Sequence, residues 1–232
     1  MANGNWGGVV MRLVLLAMVV AGAAIYMGTG SGETEFKKTL EAMEQVHSFR
    51  VAFSETPAQN LHNDKSWDVD CGRDLVHYQG HLVGTGGDNP HDISEDQFSA
   101  GGRNFEIEAD GSWGLMKIRP YNLAPAKLFC DGLAQGRDTN LLPSIATMIK
   151  RGIIQKGDKK TVNGVRCREW LVTMKGGSTG LEHDTVCLGL DDHLPYELTV
   201  DWENSRSTFS RYNAPIPFDL PEAAVQPASA TN

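Results

Sequence analysis

Two spacings of apolar residues alternate along the chain, and each spacing predicts a different element. Three- and four-residue spacing predicts amphipathic helices from Glu33 to His47 and around Leu142 to Ile149. Two-residue alternation predicts strands and turns between Ser48 and Glu108 and from Thr161 onward. The later strands are predicted at 161–163, 165–175, 181–190, 194–202 and 206–212. The pattern therefore predicts an α+β fold that is mainly antiparallel β.

An apolar run from Val9 to Gly28, with Arg12 as its one charged residue, stands apart from these patterns. A helix of about 20 apolar residues spans a bilayer because it satisfies its own backbone groups. Arg12 on one flank and Glu33 on the other predict that the positive side stays in the cytoplasm. Two interpretations remain open, namely an uncleaved signal anchor and a signal peptide cleaved at Ala21-Gly22-Ala23. The domain is then either anchored in the inner membrane and exposed to the periplasm or extracellular space, or secreted.

The remainder of the chain is long enough for one domain with its own core. We assign residues 1–32 to the signal anchor or signal peptide and a short linker, 33–221 to a single extracytoplasmic β-rich domain, and 222–232 to a disordered tail. The formal net charge is −8. Because nucleic-acid binding needs clustered Lys and Arg, we expect no nucleic-acid partner.

All four cysteines lie in the exported part, and an even number in an oxidising compartment predicts two disulfides. If Cys167 lies directly opposite Cys187, the hairpin turn centres on Gly177 and the even-numbered apolar residues of both strands share one face. That register leaves Cys71 to pair with Cys130. Since no closely spaced Cys or His ligands accompany the four cysteines, we expect no zinc site.

The histidines and acidic residues give little support for catalysis. His77 and His81 share a strand face, where solvated side chains are expected more often than a metal site. In the adjacent pairs His91-Asp92 and His183-Asp184, the two side chains should point apart. Turn chemistry accounts for Asp191-Asp192-His193. We therefore expect no enzyme, no metal and no cofactor.

Three segments between Thr161 and Pro221 resemble the LolA-like lipoprotein carriers and related exported lipoproteins. They read VNGVRCREW at 162–170, CLGLDDHLPYEL at 187–198 and YNAPI at 212–216. The resemblance implies a half-open antiparallel barrel wrapped around covering helices, with an apolar cavity for acyl chains.

These observations lead to one hypothesis and one alternative. The hypothesis is a non-catalytic, membrane-tethered extracytoplasmic protein that binds lipid or a lipidated protein in an apolar cavity. The alternative is an envelope structural or protein-interaction module with a fully packed core and no ligand. Expected partners are the membrane, through the N-terminal helix, and a lipid, lipoprotein or envelope protein. The candidate cavity residues are Trp170, Val172, Met174, Val186, Leu188, Leu198, Val200, Trp202, Ile145 and Met148.

Overall fold

A computed structural model describes residues 32–58, 61–84, 91–108, 110–116, 123–137, 144–175, 181–201 and 204–219. The predicted anchor or signal segment, Leu142, Trp202 and the predicted tail from 222 lie outside these residues. Among the helices of the described ranges, none is both long and apolar enough to cross a membrane.

The described chain consists of three helices and eleven strands. The helices are α1 at 32–43, α2 at Ala126–Ala134 and α3 at Ile145–Arg151. The strands before α2 are β1 (Ser48–Ala58), β2 (Leu61–Asp70), β3 (Leu75–Gly84), β4 (His91–Ala100), β5 (Arg103–Ile107) and β6 (Trp113–Leu115). Those after α3 are β7 (Ile153–Val162), β8 (Val165–Lys175), β9 (Leu181–Gly189), β10 (Pro195–Val200) and β11 (Ser205–Ser210).

All these strands form one antiparallel sheet in the order β6-β5-β4-β3-β2-β1-β11-β10-β9-β8-β7. β1 pairs with both β2 and β11, so the two halves of the chain meet in the middle of the sheet. β6 and β7 lie at opposite edges, and the sheet is not closed. The predicted α+β, mainly antiparallel fold with an unclosed sheet and covering helices is confirmed.

One face of the sheet, called the inner face here, carries the main core. Val51 lies opposite Phe209 of β11, and on the following strands Val186 lies between Leu198 and Trp170. α1 and α3 cover this part of the face, since Phe36 of α1 meets Trp170 edge-on with ring centroids 6.5 Å apart. The helices therefore bury apolar side chains that a sheet alone would expose to water.

The predicted register of the β8–β9 hairpin is wrong by two residues. Cys167 lies opposite Gly189, and Cys187 lies opposite Glu169. The disulfide still joins Cys167 to Cys187, with a Cα–Cα distance of 5.5 Å, because two residues on the same face of neighbouring strands can reach this distance diagonally. A two-residue shift of the register leaves each side chain on the same face, so the predicted common face of the even-numbered apolar residues is unaffected. The second bond joins Cys71 to Cys130, as predicted.

Three predicted element boundaries also change. The first helix ends at residue 43 instead of His47. α3 begins only after Ser144, whose hydroxyl accepts a hydrogen bond from the Thr147 backbone N–H and caps the helix. β7 begins at Ile153, eight residues before the predicted strand at Thr161. α2 was not predicted from the sequence.

Candidate functional site

The inner face divides into two regions with different coverage. The helix-covered half comprises β7 to β11 beneath α1 and α3. The open half comprises the inner face of β2 to β5, except for Val69 and Val76, which are buried in the main core together with Ala126 and Leu133 of α2. The two meet at β1, where Val51 lies between Phe209 of β11 and Trp67 of β2. This division separates the packed part of the inner face from the part that has room for a ligand.

The helix-covered half contains the residues that the sequence nominates as cavity-lining. Eight of them are buried and belong to the main core: Trp170, Val172, Val186, Leu188, Leu198, Val200, Ile145 and Met148. Met174 is partly buried against the same core. Since α1 and α3 lie directly on these side chains, they fill the space between sheet and helices. Their contact with a ligand therefore stays a prediction.

The open half contains a cavity of about 510 Å³. Its apolar lining comes from Trp67 of β2, Tyr78 of β3, and Met116 and Leu123 from the connection that follows β6. Trp67 and Tyr78 lie opposite each other in the β2–β3 register, and their ring centroids are 5.3 Å apart. This volume falls within the range of small-molecule sites. The cavity offers an aromatic floor and flexible Met and Leu side chains.

The remaining described lining residues of this cavity are polar: Lys65, Glu95, Gln97 and Glu106. The strand register places them on the inner face, because Trp67 aligns with Tyr78, Gln97 and Glu106 across four strands. The Tyr78 hydroxyl donates a 3.0 Å hydrogen bond to Glu95 Oε2. Burial, together with this bond to a carboxylate, raises the pKa of Tyr78 well above its usual value. Tyr78 therefore remains a neutral donor throughout the physiological pH range.

Gly80 makes the Tyr78–Glu95 contact possible. A Cβ at position 80 would lie 2.4 Å from the Tyr78 hydroxyl oxygen and 3.4 Å from Glu95 Oε2. The absent side chain leaves room for the phenol to lie along the strand and reach its carboxylate partner. The sequence shows this glycine as an irregularity between His77 and His81, but gives no sign of its use.

A second cavity of about 560 Å³ adjoins the first at the edge of the sheet. Glu95, Gln97 and Glu106 line both cavities. The second one lies where β5 stops following β4, because the two strands pair only from Gln97 to Ala100 on the β4 side. The open half therefore has a polar wall with space on both sides.

His77 and His81 lie on the outer face of β3, and neither of them lines either cavity. His77 Nε2 is 2.6 Å from Asp96 Oδ1, and His81 Nε2 is 2.9 Å from Asp92 Oδ1. Each ring thus has its own carboxylate partner. In the described ranges no group of three or more His, Cys, Asp or Glu side chains has the arrangement of a metal site.

The adjacent acidic–histidine pairs have structural roles. His183 contacts the Thr173 hydroxyl at 3.1 Å, whereas Asp184 is buried on the opposite face of β9. Asp192 accepts hydrogen bonds from the Leu194 backbone N–H and the Tyr196 hydroxyl, which supports the predicted turn. His193 Nδ1 lies 2.5 Å from Glu35 Oε1 and so fastens this turn to α1.

An ion cluster lies on the outer face of the helix-covered half, near the Cys167–Cys187 bond. Glu197 is buried and accepts hydrogen bonds from both Lys160 and Arg206, while Lys160 also donates to Glu169 at 2.6 Å. Burial acts to raise the pKa of Glu197, but the bonds from Lys160 and Arg206 outweigh it and lower the pKa. The cluster joins β7, β8, β10 and β11 and is a structural feature of the sheet.

No known family profile matches the chain, and no curated protein matches it. Among solved structures, LprF from Mycobacterium bovis is 11% identical, with 84% of this chain and 98% of that chain covered and a TM-score of 0.59. MucB in the Pseudomonas aeruginosa MucA/MucB complex is 15% identical over 85% of this chain and 61% of that chain, with a TM-score of 0.41. The LolA superfamily protein NE2245 from Nitrosomonas europaea is 10% identical, with coverages of 81% and 95% and a TM-score of 0.27.

Of these three, LprF superposes closely enough to show a shared fold. The predicted architecture, a half-open, mainly antiparallel barrel with covering helices, is thereby confirmed as a fold shared with LprF. At such low identity the likeness concerns the fold alone, and the function rests on the site itself.

Proposed function

We propose that this protein binds a lipid or a lipidated molecule, without catalysis, on the inner face of its half-open barrel. The observation that supports the proposal is the 510 Å³ cavity in the open half, with an aromatic and aliphatic lining on one side and a polar wall on the other. An amphiphile matches that division, because its acyl chain needs apolar contact and its polar end needs hydrogen bonds. Each buried methylene contributes about 0.8 kcal/mol.

We place the ligand in the open half, whereas the cavity residues nominated from the sequence lie in the helix-covered half. In the helix-covered half Val172 is 0% and Met148 1% exposed, so an acyl chain would have to displace α3 to enter. In the open half, Met116 and Leu123 come from a connection between β6 and α2 and are not part of a regular element. A guest needs less rearrangement there, and the flexible Met side chain adapts to it.

We propose further that the domain works outside the cytoplasm and is tethered by its N-terminal apolar segment, or is secreted after cleavage. The two disulfides support an oxidising compartment. Protease added to spheroplasts should digest the domain from Glu33 onward. Full protection behind an intact membrane would contradict this orientation.

The direct test of lipid binding is organic extraction of the purified full chain, kept soluble in a non-ionic amphipol, followed by mass spectrometry. We expect acyl lipids in stoichiometric amounts. Met116→Trp should fill the cavity and reduce bound lipid at least about tenfold, a loss of about 1.4 kcal/mol of binding free energy. Leu115→Trp is the matched control, since this neighbouring side chain is 54% exposed and lines neither cavity.

A second candidate function, an envelope protein-interaction module, is favoured by the dense packing of the helix-covered half. It predicts that extraction returns no lipid and that a fluorescent acyl probe does not bind. In that case both tryptophan variants should behave like the wild type towards the probe, and the open-half cavity would have no lipid-binding role.

A further inference from the structure

The edge of the sheet at β7 is strongly basic, although the whole chain has a formal net charge of −8. Residues 150–160 contain five Lys or Arg and one Asp. Lys160 belongs to the ion cluster around Glu197. The other four cations, together with one on the neighbouring strand β8, are called the basic edge here: Lys150, Arg151, Lys156, Lys159 and Arg168.

The charges of the basic edge are not compensated within the chain. None of its five side chains forms an ion pair with a described residue. Exposed cations elsewhere do, since Lys37 Nζ lies 2.6 Å from Glu33 Oε1 and Lys127 Nζ lies 3.2 Å from Asp131 Oδ2. Arg168 donates a 3.0 Å hydrogen bond to the Gly157 carbonyl oxygen, which carries no net charge.

The strand register adds an independent sign of an anionic partner. Lys159 lies directly opposite Arg168, and Lys156 lies opposite Trp170, so both lysines share one face of β7 across its β-bulge. Like charges directly opposite each other destabilise a sheet. Charges on an edge strand also prevent unwanted strand pairing, but charges of either sign achieve this. The excess of positive charge therefore favours a partner that carries negative charge.

The basic edge lies where the N-terminal segment joins the domain. Gly32 at the start of α1 lies against β7, since a Cβ there would be 2.6 Å from Ile154 Cγ2. Gly32 is four positions after Gly28, the end of the predicted apolar run, and four residues span at most about 14 Å. Positions 1–31 contain no Asp or Glu that could neutralise the basic edge. Ile153, within the same stretch of chain, is 53% exposed.

We propose, on the basis of the membrane-tethered placement above, that the basic edge docks on anionic lipid headgroups of the membrane that holds the N-terminal segment. Phosphate oxygens accept charge-assisted hydrogen bonds from Lys and Arg, and Ile153 adds apolar contact at the interface. The attraction acts within about 8 Å at physiological salt, so the short connection from Gly28 is essential to it. Because β6 forms the opposite edge of the sheet, docking at β7 leaves the open half clear of the headgroups.

The test uses the full chain in lipid nanodiscs of phosphatidylcholine alone, or of phosphatidylcholine with an equal part of phosphatidylglycerol. A neutral reagent acetylates the lysines, and mass spectrometry gives the rate at each position. We expect Lys150, Lys156 and Lys159 to react about fivefold more slowly on the anionic discs, and high salt to restore their rates. Lys127, whose backbone N–H donates to Asp74 beside the β2–β3 turn, should react equally on both discs.

Two double variants locate the effect. Lys156→Gln/Lys159→Gln should raise the rate at Lys150 on anionic discs at least about twofold, because two of the docking charges are lost. Lys127→Gln/Arg211→Gln removes two exposed cations outside the basic edge and should leave Lys150 slow.

Equal rates on the two kinds of disc would overturn the proposal, as would slow rates already on neutral discs, which pairing of two chains along β7 would give. An unchanged rate at Lys150 in Lys156→Gln/Lys159→Gln would do the same. A chain that leaves the discs at high salt contradicts the tether, while its rates at low salt still test the docking. Lipid extraction tests the open-half cavity separately.

Discussion

The helix-covered half and the open half of the inner face belong to one sheet, yet one is packed against helices and the other borders a cavity. Over the helix-covered half, α1 and α3 supply Phe36, Met43, Ile145 and Met148, all 0–1% exposed. In the open half, Met116 and Leu123 lie outside any helix and line a cavity of about 510 Å³. The packed core of the helix-covered half can therefore stabilise the fold while the open half keeps a cavity.

The largest expected effect is in the helix-covered half. Phe36→Ala should destabilise the fold by about 3–5 kcal/mol, because it removes a fully buried ring and leaves a void against Trp170. Urea denaturation of the full chain measures this change. Leu128→Ala, at a position 60% exposed on α2, is the control and should cost no more than about 0.5 kcal/mol. Similar losses from both variants would contradict the packed character of this half.

Removing the Cys167–Cys187 bond should cost about 3 kcal/mol, since its residues are 20 apart in sequence and the bond restricts the unfolded chain. The cysteines lie on the opposite face from Trp170, away from both open-half cavities. The double variant Cys167→Ala/Cys187→Ala, once folded, should therefore bind an acyl probe with unchanged affinity. A large loss of affinity in correctly folded protein would show that the two halves are coupled.

Glu197 links stability to acid pH. Its folded pKa is lowered, so the unfolded chain binds more protons, and the stabilisation is lost as pH falls from about 4.3 through the folded pKa. Glu197→Gln should cost about 1–2 kcal/mol at neutral pH, a modest value because the Arg206 side chain is 61% exposed. The variant should also lose stability less steeply below about pH 4.3. Parallel curves for variant and wild type, recorded by denaturation at several pH values, would contradict this role.

The smallest effect on stability belongs to the open half. Trp67→Ala should cost about 1 kcal/mol, less than a fully buried ring, because this half-buried indole borders a cavity. Its effect on acyl-probe affinity should be larger, about tenfold, because the aromatic floor is lost. Fluorescence titration and urea denaturation of the same sample separate the two quantities. A variant with strongly reduced stability and normal affinity would reverse the comparison.

The sequence was most informative where parity alone decides the outcome. The alternation of Trp170, Val172 and Val186 predicted that these side chains share one face of the sheet. The predicted Cys167–Cys187 bond is present even though the register differs by two residues from the predicted one. The alternation of apolar residues cannot reveal a two-residue shift of the strand register, because such a shift leaves every side chain on the same face of the sheet. α2 escaped prediction since it begins after Pro125 without a side-chain cap and has neither acidic residues in its first turn nor basic ones in its last.

The position of the cavity could not be derived from the same pattern. Alternation shows which side chains share a face, but it does not show which part of that face the helices cover. The open-half residues carry only a weak signal, since Lys65 and Trp67 alternate like any strand pair. The partnership of Tyr78 with Glu95 depends on the registers of β3 and β4, which local spacing does not encode. In the sequence, the sign that pointed to this contact was Gly80, a glycine inside a strand.

The central claim is that the open half binds the ligand and the helix-covered half supplies most of the stability of the fold. It is tested most directly by comparing Met116→Trp with Val186→Phe in the full chain, measuring extracted lipid by mass spectrometry and unfolding by temperature for each. We expect Met116→Trp to lose its lipid with little change in melting, and Val186→Phe to melt earlier by overpacking the core while retaining lipid. Lipid lost from Val186→Phe with unchanged melting, and retained by Met116→Trp, would place the ligand beneath α3 and contradict this account.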